Sequence, residues 1–353
     1  MGRVPPAPPK APELDPAAIR ERASKLFGVL PQEFPNKDNA GSEAKISLGR
    51  MLYYDGRLSK TGEISCNSCH MLDKYGVDNN PTSPGHDGTR GDRNSPTVYN
   101  AAGHLAQFWD GRAADVEAQA KGPVLNPIEM GMPDEASVVA VLAGIPGYVE
   151  AFGAAFPDAA DPVTYDNMAN AIGAFERKLV TPAPIDKFLA GEDAALSEQA
   201  LAGFQLFMDT DCQSCHSGFN FGGSMYQKLG TEKPWPGLKD DGRAAVTGDE
   251  RDKHVFKVPS LRNIDKTGPY LHDGSIASLP DMVNKMAEHQ TKRGKPFSEE
   301  ELAQMLAFLG ALTGELPSDY IAMPTLPEGK AAEPAAEPTA EPAPEPAADG
   351  GVG

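Results

Sequence analysis

The chain has 353 residues, with Lys+Arg 32 against Asp+Glu 50 and a formal net charge of −18. That acidity disfavours nucleic acid, whose phosphates it would repel, and no apolar run approaches the length of a membrane span. Gly 36 and Pro 33 together exceed the usual ~12%, which predicts ordered loops more than long regular elements, and the length suits two domains.

Residues 1–13 are Pro-rich and read as a flexible extension. The N-terminal stretch MGRVPPAPPKAPELDP has no apolar core of the kind an export signal needs. The body then opens with Gly49-x-x-Leu52-Tyr53-x-Asp55, followed by Cys66-x-x-Cys69-His70 and a Gly/Pro/Asp-rich loop over 71–95. Pro96-Thr97-Val98-x-Asn100 comes next, with Asp110-Gly111 ten residues after the Asn. Asp161-Pro162 predicts a helix running to about Val180, with Asp as N-cap and Pro at the first position.

The same blocks then return in the same order. They are Gly203-x-x-Leu206-Phe207-x-Asp209, Cys212-x-x-Cys215-His216, Pro259-Ser260-Leu261-x-Asn263 and Asp273-Gly274. A second long loop spans 217–258, and its Lys239-Asp240-Asp241-Gly242 run reads as solvated. The repetition predicts an internal duplication, with one domain over 14–180 and the other over 181–325. Trp109 and His272 occupy matching positions just before the two Asp-Gly pairs, so the copies differ there. Ser298 to Glu301 is a capping box, stapled by Phe297 and Leu302, for a helix ending near Gly314. The Ala-Glu-Pro units of 326–353 cannot bury a core and are expected to be disordered. The fold class expected is mainly α, two domains with long ordered loops.

All four cysteines fall in the two Cys-x-x-Cys-His motifs, the signature of covalent c-type haem attachment. The thiols (Cys66, Cys69, Cys212, Cys215) would add to the haem vinyl groups, and His70 and His216 would be the proximal iron ligands. A zinc ribbon would bring its Cys pairs about 15–20 residues apart, and a redox dithiol needs no His after its second Cys. Two haem c groups are therefore expected. Haem c is attached outside the cytoplasm, so the protein is expected in the periplasm, with its native signal absent from this chain. Five other His (His86, His104, His254, His272, His289) and twelve Met could complete the irons. His86, on the glycine-rich loop, is a ligand that could leave, and Met286 lies on a predicted helical stretch. Spacing alone leaves both assignments open, since a lone His or Met is more often structural.

Taken together, these stretches resemble the bacterial di-haem cytochrome c peroxidases, a family that includes the MauG-like enzymes. The resemblance runs through Leu48–Asp55, Cys66–His70, Arg93–Thr97, Phe108–Arg112, Asn126–Met130, Cys212–His216, Gly268–Gly274 and Val283–Met286, about residues 40 to 315. It implies a mainly α fold of two cytochrome c-like domains with a haem c in each, and reduction of hydrogen peroxide to water with electrons from a small periplasmic cytochrome c or cupredoxin. His70 would then belong to a low-potential, peroxidatic haem, with His86 as a second ligand that departs on reductive activation. His216 and Met286 would hold the high-potential haem that receives electrons. The MauG-like branch has Tyr at the Met286 position, so Met286 favours the peroxidase branch. Glu129 would be the acid–base group, and Gln119 would orient peroxide or water. Trp109 would lie between the haems, with His272 near them supporting electron entry or a haem propionate. A Ca²⁺ ion is implied on Asn94, Thr267 and Pro269, oxygen donors that suit it. Family members are commonly homodimers. The rival readings are a di-haem electron carrier without turnover, a MauG-like maturation enzyme, and a haem-based sensor.

Overall fold

The computed structural model describes residues 14–329. The Pro-rich extension of 1–13 lies outside the described residues, as does the tail from 330 onward. Thirteen helices are found among the described residues. The first half carries α1 (Pro16–Ala23), α2 (Glu43–Tyr54), α3 (Cys66–Cys69), α4 (Val116–Leu125), α5 (Glu135–Ala143), α6 (Pro146–Ala155) and α7 (Tyr165–Glu176). The second carries α8 (Pro184–Leu189), α9 (Glu198–Asp209), α10 (Ala244–Thr247), α11 (Leu279–His289), α12 (Glu299–Gly310) and α13 (Ser318–Ile321). One small antiparallel hairpin, β1 (Tyr226–Lys228) with β2 (Val255–Lys257), folds the 217–258 loop back on itself. No single helix among the described residues is long and apolar enough to cross a membrane.

The blocks repeated in sequence are repeated in geometry. Gly49 lets α2 press against α7, because a Cβ there would sit 1.9 Å from Ala171 O; Gly203 lets α9 press against α12, where a Cβ would sit 1.9 Å from Gln304 O. Asn100 and Asn263 are both fully buried and both left-handed, at φ 61°. Asn100 Oδ1 accepts from Thr181 N, and Asn263 Oδ1 accepts from Gly314 N. Both side-chain amides donate to one hydroxyl, Thr181 Oγ1, each at 2.9 Å. The halves thus meet on a small, fully satisfied polar knot, the arrangement that specifies a unique register. The two Asp-Gly turns also cross over. A Cβ at Gly111 would strike the Tyr226 hydroxyl, and one at Gly274 would strike Pro81 O.

Two helix boundaries depart from the sequence expectation. The helix after Asp161-Pro162 starts at Tyr165 and ends at Glu176, because Thr164 supplies the N-cap, its hydroxyl accepting from Asn167 N. Asp161-Pro162 forms the preceding turn, with Pro162 O accepting from the Asn167 amide. The Ser298 capping box is present, Ser298 Oγ accepting from Glu301 N and Ser298 N donating to Glu301 Oε2. Its helix stops at Gly310. Gly314 is instead a contact glycine, where a Cβ would lie 2.1 Å from Thr181 O.

The packing also departs from a linear division of the chain. One core gathers Leu48, Leu52, Tyr148, Phe152 and Phe175, and it takes in Ile321 with Tyr320 packed alongside. The other gathers Phe188, Phe204, Phe221 and Phe308, and it takes in Ile19, Ala23 and Phe27. Each terminus of the described chain therefore packs on the half it does not belong to in sequence. Residues 326–329 are part of this arrangement, since Arg57 donates to Pro327 O and Gly329 O.

Candidate active site

Each Cys-x-x-Cys-His motif closes one tight turn against its own cavity. His70 N donates to Cys66 O at 2.9 Å, and His216 N to Cys212 O at 3.0 Å. The first cavity, about 170 Å³, is bordered by Cys66, Cys69 and His70; the second, about 240 Å³, by Cys212, Cys215 and His216. None of the four thiols is bridged. Burial pushes Cys69 and Cys212 up to about 11 and Cys66 further. That is the reverse of what a redox dithiol requires. Burial also lowers His70 and pulls His216 down to about 4, so both imidazoles are neutral at pH 7. His216 Nδ1 donates to Phe221 O at 3.2 Å. That tautomer leaves the Nε2 lone pair for a metal. Paired thiols, a neutral imidazole and an adjoining cavity are the donor set a covalent haem requires, so the residues fit the group at both motifs.

The first cavity brings together Glu129, Gln119, Arg112 and Glu176 around the His70 motif. Glu129 is held by Asn126, whose amide donates to Oε1 at 2.8 Å, and burial raises its affinity for a proton against the opposing pull of Arg112. Arg112 is itself stacked on the Phe108 ring at 3.5 Å and paired with Asp110. Glu176 is 6% exposed, and burial pushes it up to about 8. His86 is not among the residues bordering this cavity. Its Nε2 donates to Pro127 O at 3.1 Å, and its backbone N–H donates to Glu129 O at 2.8 Å. Gly85 and Gly131 permit this docking, for a Cβ on either would collide with Ile128 O or the His86 ring. The loop of 71–95 thus lies against the segment that carries Glu129.

The second cavity brings Met286 and Met282 of α11 to the His216 motif. Of the other expected His ligands, His254 and His289 spend Nδ1 on Asp240 O and Pro234 O. Trp109 borders both cavities, and so do Asn94, Pro96, Thr97 and Phe108. The Trp109 indole N–H donates to Asn94 O at 2.9 Å. His272 is buried, stacked on Phe256 at 4.4 Å and edge-on to Trp109 at 6.4 Å. Its carbonyl accepts from Asn94 N at 2.7 Å. The matched positions Trp109 and His272 therefore meet at the junction of the halves.

Asn94, Thr267 and Pro269 also come together on the wall of the second cavity. The Asn94 amide nitrogen donates to Asn80 O and Pro81 O. Its oxygen has no hydrogen-bond donor among the described residues, and no cluster of three or more His, Cys, Asp or Glu there could hold a metal. Asp240 is not the solvated acid the sequence suggested. It takes a two-pronged ion pair from Arg93 at 2.7 and 2.9 Å, and Arg93 also reaches Asp110. Arg93 thereby ties the 217–258 loop to the Trp109 turn.

The comparisons with known proteins converge on this arrangement. The family model described as di-haem cytochrome c peroxidase matches residues 43–194, and a cytochrome c model matches 200–313. Cytochrome c551 peroxidase of Pseudomonas aeruginosa is 42% identical over 90% of this chain and 92% of its own. The protein of that name from Nitrosomonas europaea is 46% identical over 88% of this chain and 89% of its own.

The chain belongs to the di-haem cytochrome c peroxidase family.

A solved MauG-like protein associated with microbial copper homeostasis superposes with a TM-score of 0.73 at 29% identity, over 84% of this chain and 97% of its own. As a member of the di-haem cytochrome c peroxidases, the chain is an oxidoreductase of the peroxidase class, built on two cytochrome c-type regions. Sequence reading missed the placement of several polar residues that border the two cavities. Glu176 had a signal, standing in register with buried Ala169 and Ile172 on one face of α7. Lys257 and His104 had none, because strand partner and loop contact are not local properties.

Proposed function

We propose that this protein reduces hydrogen peroxide to water with electrons from a small cytochrome c or cupredoxin. The observation that carries the reading is the content of the first cavity, where Glu129 and Gln119 face the His70 motif. A haem on Cys66, Cys69 and His70 would supply the redox chemistry; one on Cys212, Cys215, His216 and Met286 would store the incoming electron. Around them the chain's residues act by ordinary acid–base and positioning chemistry. Glu129, raised by burial yet restrained by Arg112 and Asn126, is suited to hold a proton and hand it between two oxygens. Gln119 orients peroxide or water. Trp109, bordering both cavities, carries electrons between them, with His272 beside it.

His86 gates the site. On Pro127 O it leaves the first cavity open, and on the iron it would close it. Asn94 Oδ1 with the Thr267 and Pro269 carbonyls would hold Ca²⁺, coupling the ion to the Trp109 turn through the Asn94 backbone. Met286 supports the peroxidase over the MauG-like maturation reading, and the polar first cavity supports turnover over simple electron carriage or sensing. The reading places the protein in the periplasm, as a homodimer. Its test is steady-state oxidation of a reduced small cytochrome c by hydrogen peroxide, with added calcium and ascorbate pre-reduction. Rapid turnover that disappears in Glu129→Gln supports it; absence of turnover with both haems six-coordinate after half-reduction overturns it.

A further inference from the structure

A buried cation borders the second cavity. Lys257, at the end of β2, is 7% exposed. No carboxylate pairs with it among the described residues, and burial alone accounts for its ammonium falling to about 8. Its Nζ donates to His104 Nδ1 at 3.1 Å. That bond fixes the proton of His104 on Nε2, and Nε2 is buried without a partner. Burial and the neighbouring Lys257 keep His104 neutral. Both side chains border the second cavity. Gly223 accommodates the imidazole, since a Cβ there would lie 2.2 Å from His104 Cδ2. Lys257 N also donates to Trp109 O at 2.8 Å, fixing the strand beside the residue shared by both cavities.

A buried ammonium with no counter-charge and a buried N–H donor with no acceptor are both costly in a protein interior. Such a pair persists where something outside the polypeptide answers it. Haem carries two carboxylate side arms, and the His216 motif places a haem in this cavity.

We propose that Lys257 and His104 form a carboxylate-binding site for an acidic arm of the second haem, and that the Lys257 charge raises that haem's reduction potential. A fixed positive charge beside an iron centre disfavours the more positive, oxidised state. In low-dielectric surroundings the interaction is strong enough to matter. The proposal rests on the covalent haem at Cys212, Cys215 and His216. It does not depend on which residue is the sixth ligand.

The test is a potentiometric titration of the holoprotein, following each haem by its visible absorption. In Lys257→Met, at fixed ambient potential, the reduced-to-oxidised ratio of the second haem should fall about tenfold or more, with the first haem unchanged. Lys257→Arg should restore the ratio. Lys257→Gln, which keeps a donor but no charge, should behave as Met does, and it serves if Met does not fold. An unchanged ratio in Met or Gln overturns the proposal, as does a fall in Arg equal to that in Met. The oxidised wild-type spectrum tests the Met286 ligand separately, through the sulfur-to-iron charge-transfer band. Loss of that reading would leave the variant-to-variant shift intact.

Discussion

The two halves share a skeleton and differ in what they bury next to the motif. In the first, position 176 of α7 turns a carboxyl toward the cavity. In the second, Leu309 of α12 borders the cavity from the same place in the helix pair, as Phe175 and Phe308 match behind Gly49 and Gly203. The first cavity adds Glu129, Gln119 and Arg112; the second adds Met282, Met286 and the uncompensated Lys257. The backbone frame is conserved by steric notches that admit no side chain. The chemistry diverges where side chains point inward from positions the frame does not constrain. On the proposed function, one frame would serve proton handling in one half and electron storage in the other.

The sharpest way to break that contrast is to neutralise the acid of the first cavity. Glu129→Gln preserves shape and the Asn126 contact but removes the transferable proton. Peroxide turnover should fall by about 10²–10⁴, measured by donor oxidation. The second haem's spectrum should stay unchanged.

The next test strikes the shared frame. Gly49→Ala and Gly203→Ala each force a Cβ into a backbone oxygen, and overpacking of this kind costs about 1–3 kcal/mol. Chemical denaturation should show comparable losses in both variants. A large loss in one and none in the other would mean that the two notches are not equivalent.

Thr181→Val addresses the junction. It removes the acceptor for both Asn100 and Asn263, leaving two buried amides unanswered. Stability should fall by about 1–3 kcal/mol, read from the same unfolding curves. Asn100→Ala should be partly non-additive with it, because the two share a bond.

The last effect is a change of slope with pH. Glu176 takes up its proton more readily folded than unfolded, at about 8 against 4.5. The folded state therefore binds more protons between those values, and stability falls as pH rises from about 4.5 to 8. Glu176→Leu, which gives the first cavity the residue of the second, should flatten that fall. Unfolding curves recorded across the window would show it, and a wild-type slope in the variant would refute the assignment.

How much of this was legible beforehand depends on the range of the interaction. The haem motifs, the Ser298 box and the repeated blocks are local patterns, and the structure shows each where the sequence put it. The helix start at Tyr165 was misjudged because Asp161-Pro162 and Thr164 both cap well, and only packing chose between them. Arg93 with Asp240 joins residues far apart in the chain, so charge runs alone read Asp240 as solvated. For His86 spacing decided nothing and the resemblance alone made it an iron ligand that can leave; its contact with Pro127 O joins two loops, which no local pattern carries.

The crossed ends of the chain bear on the order of assembly. Phe27 stacks on Phe221 at 4.5 Å, and Tyr320 on Phe175 at 5.1 Å. The Tyr320 hydroxyl donates to Phe175 O, and the Tyr54 hydroxyl to Ile321 O. The first half is thus closed by residues around 320, which follow the second half in the chain, while α1 packs into the core of the second half. Closure by such distant segments is slow. Neither half, cut out as a continuous stretch of chain, would contain all of its own core. A fragment ending before Leu316 would leave the aromatic face of α7 wet. The two halves are therefore bound into one packing arrangement, and the core around α7 is complete only once the segment carrying Tyr320 and Ile321 has docked on it.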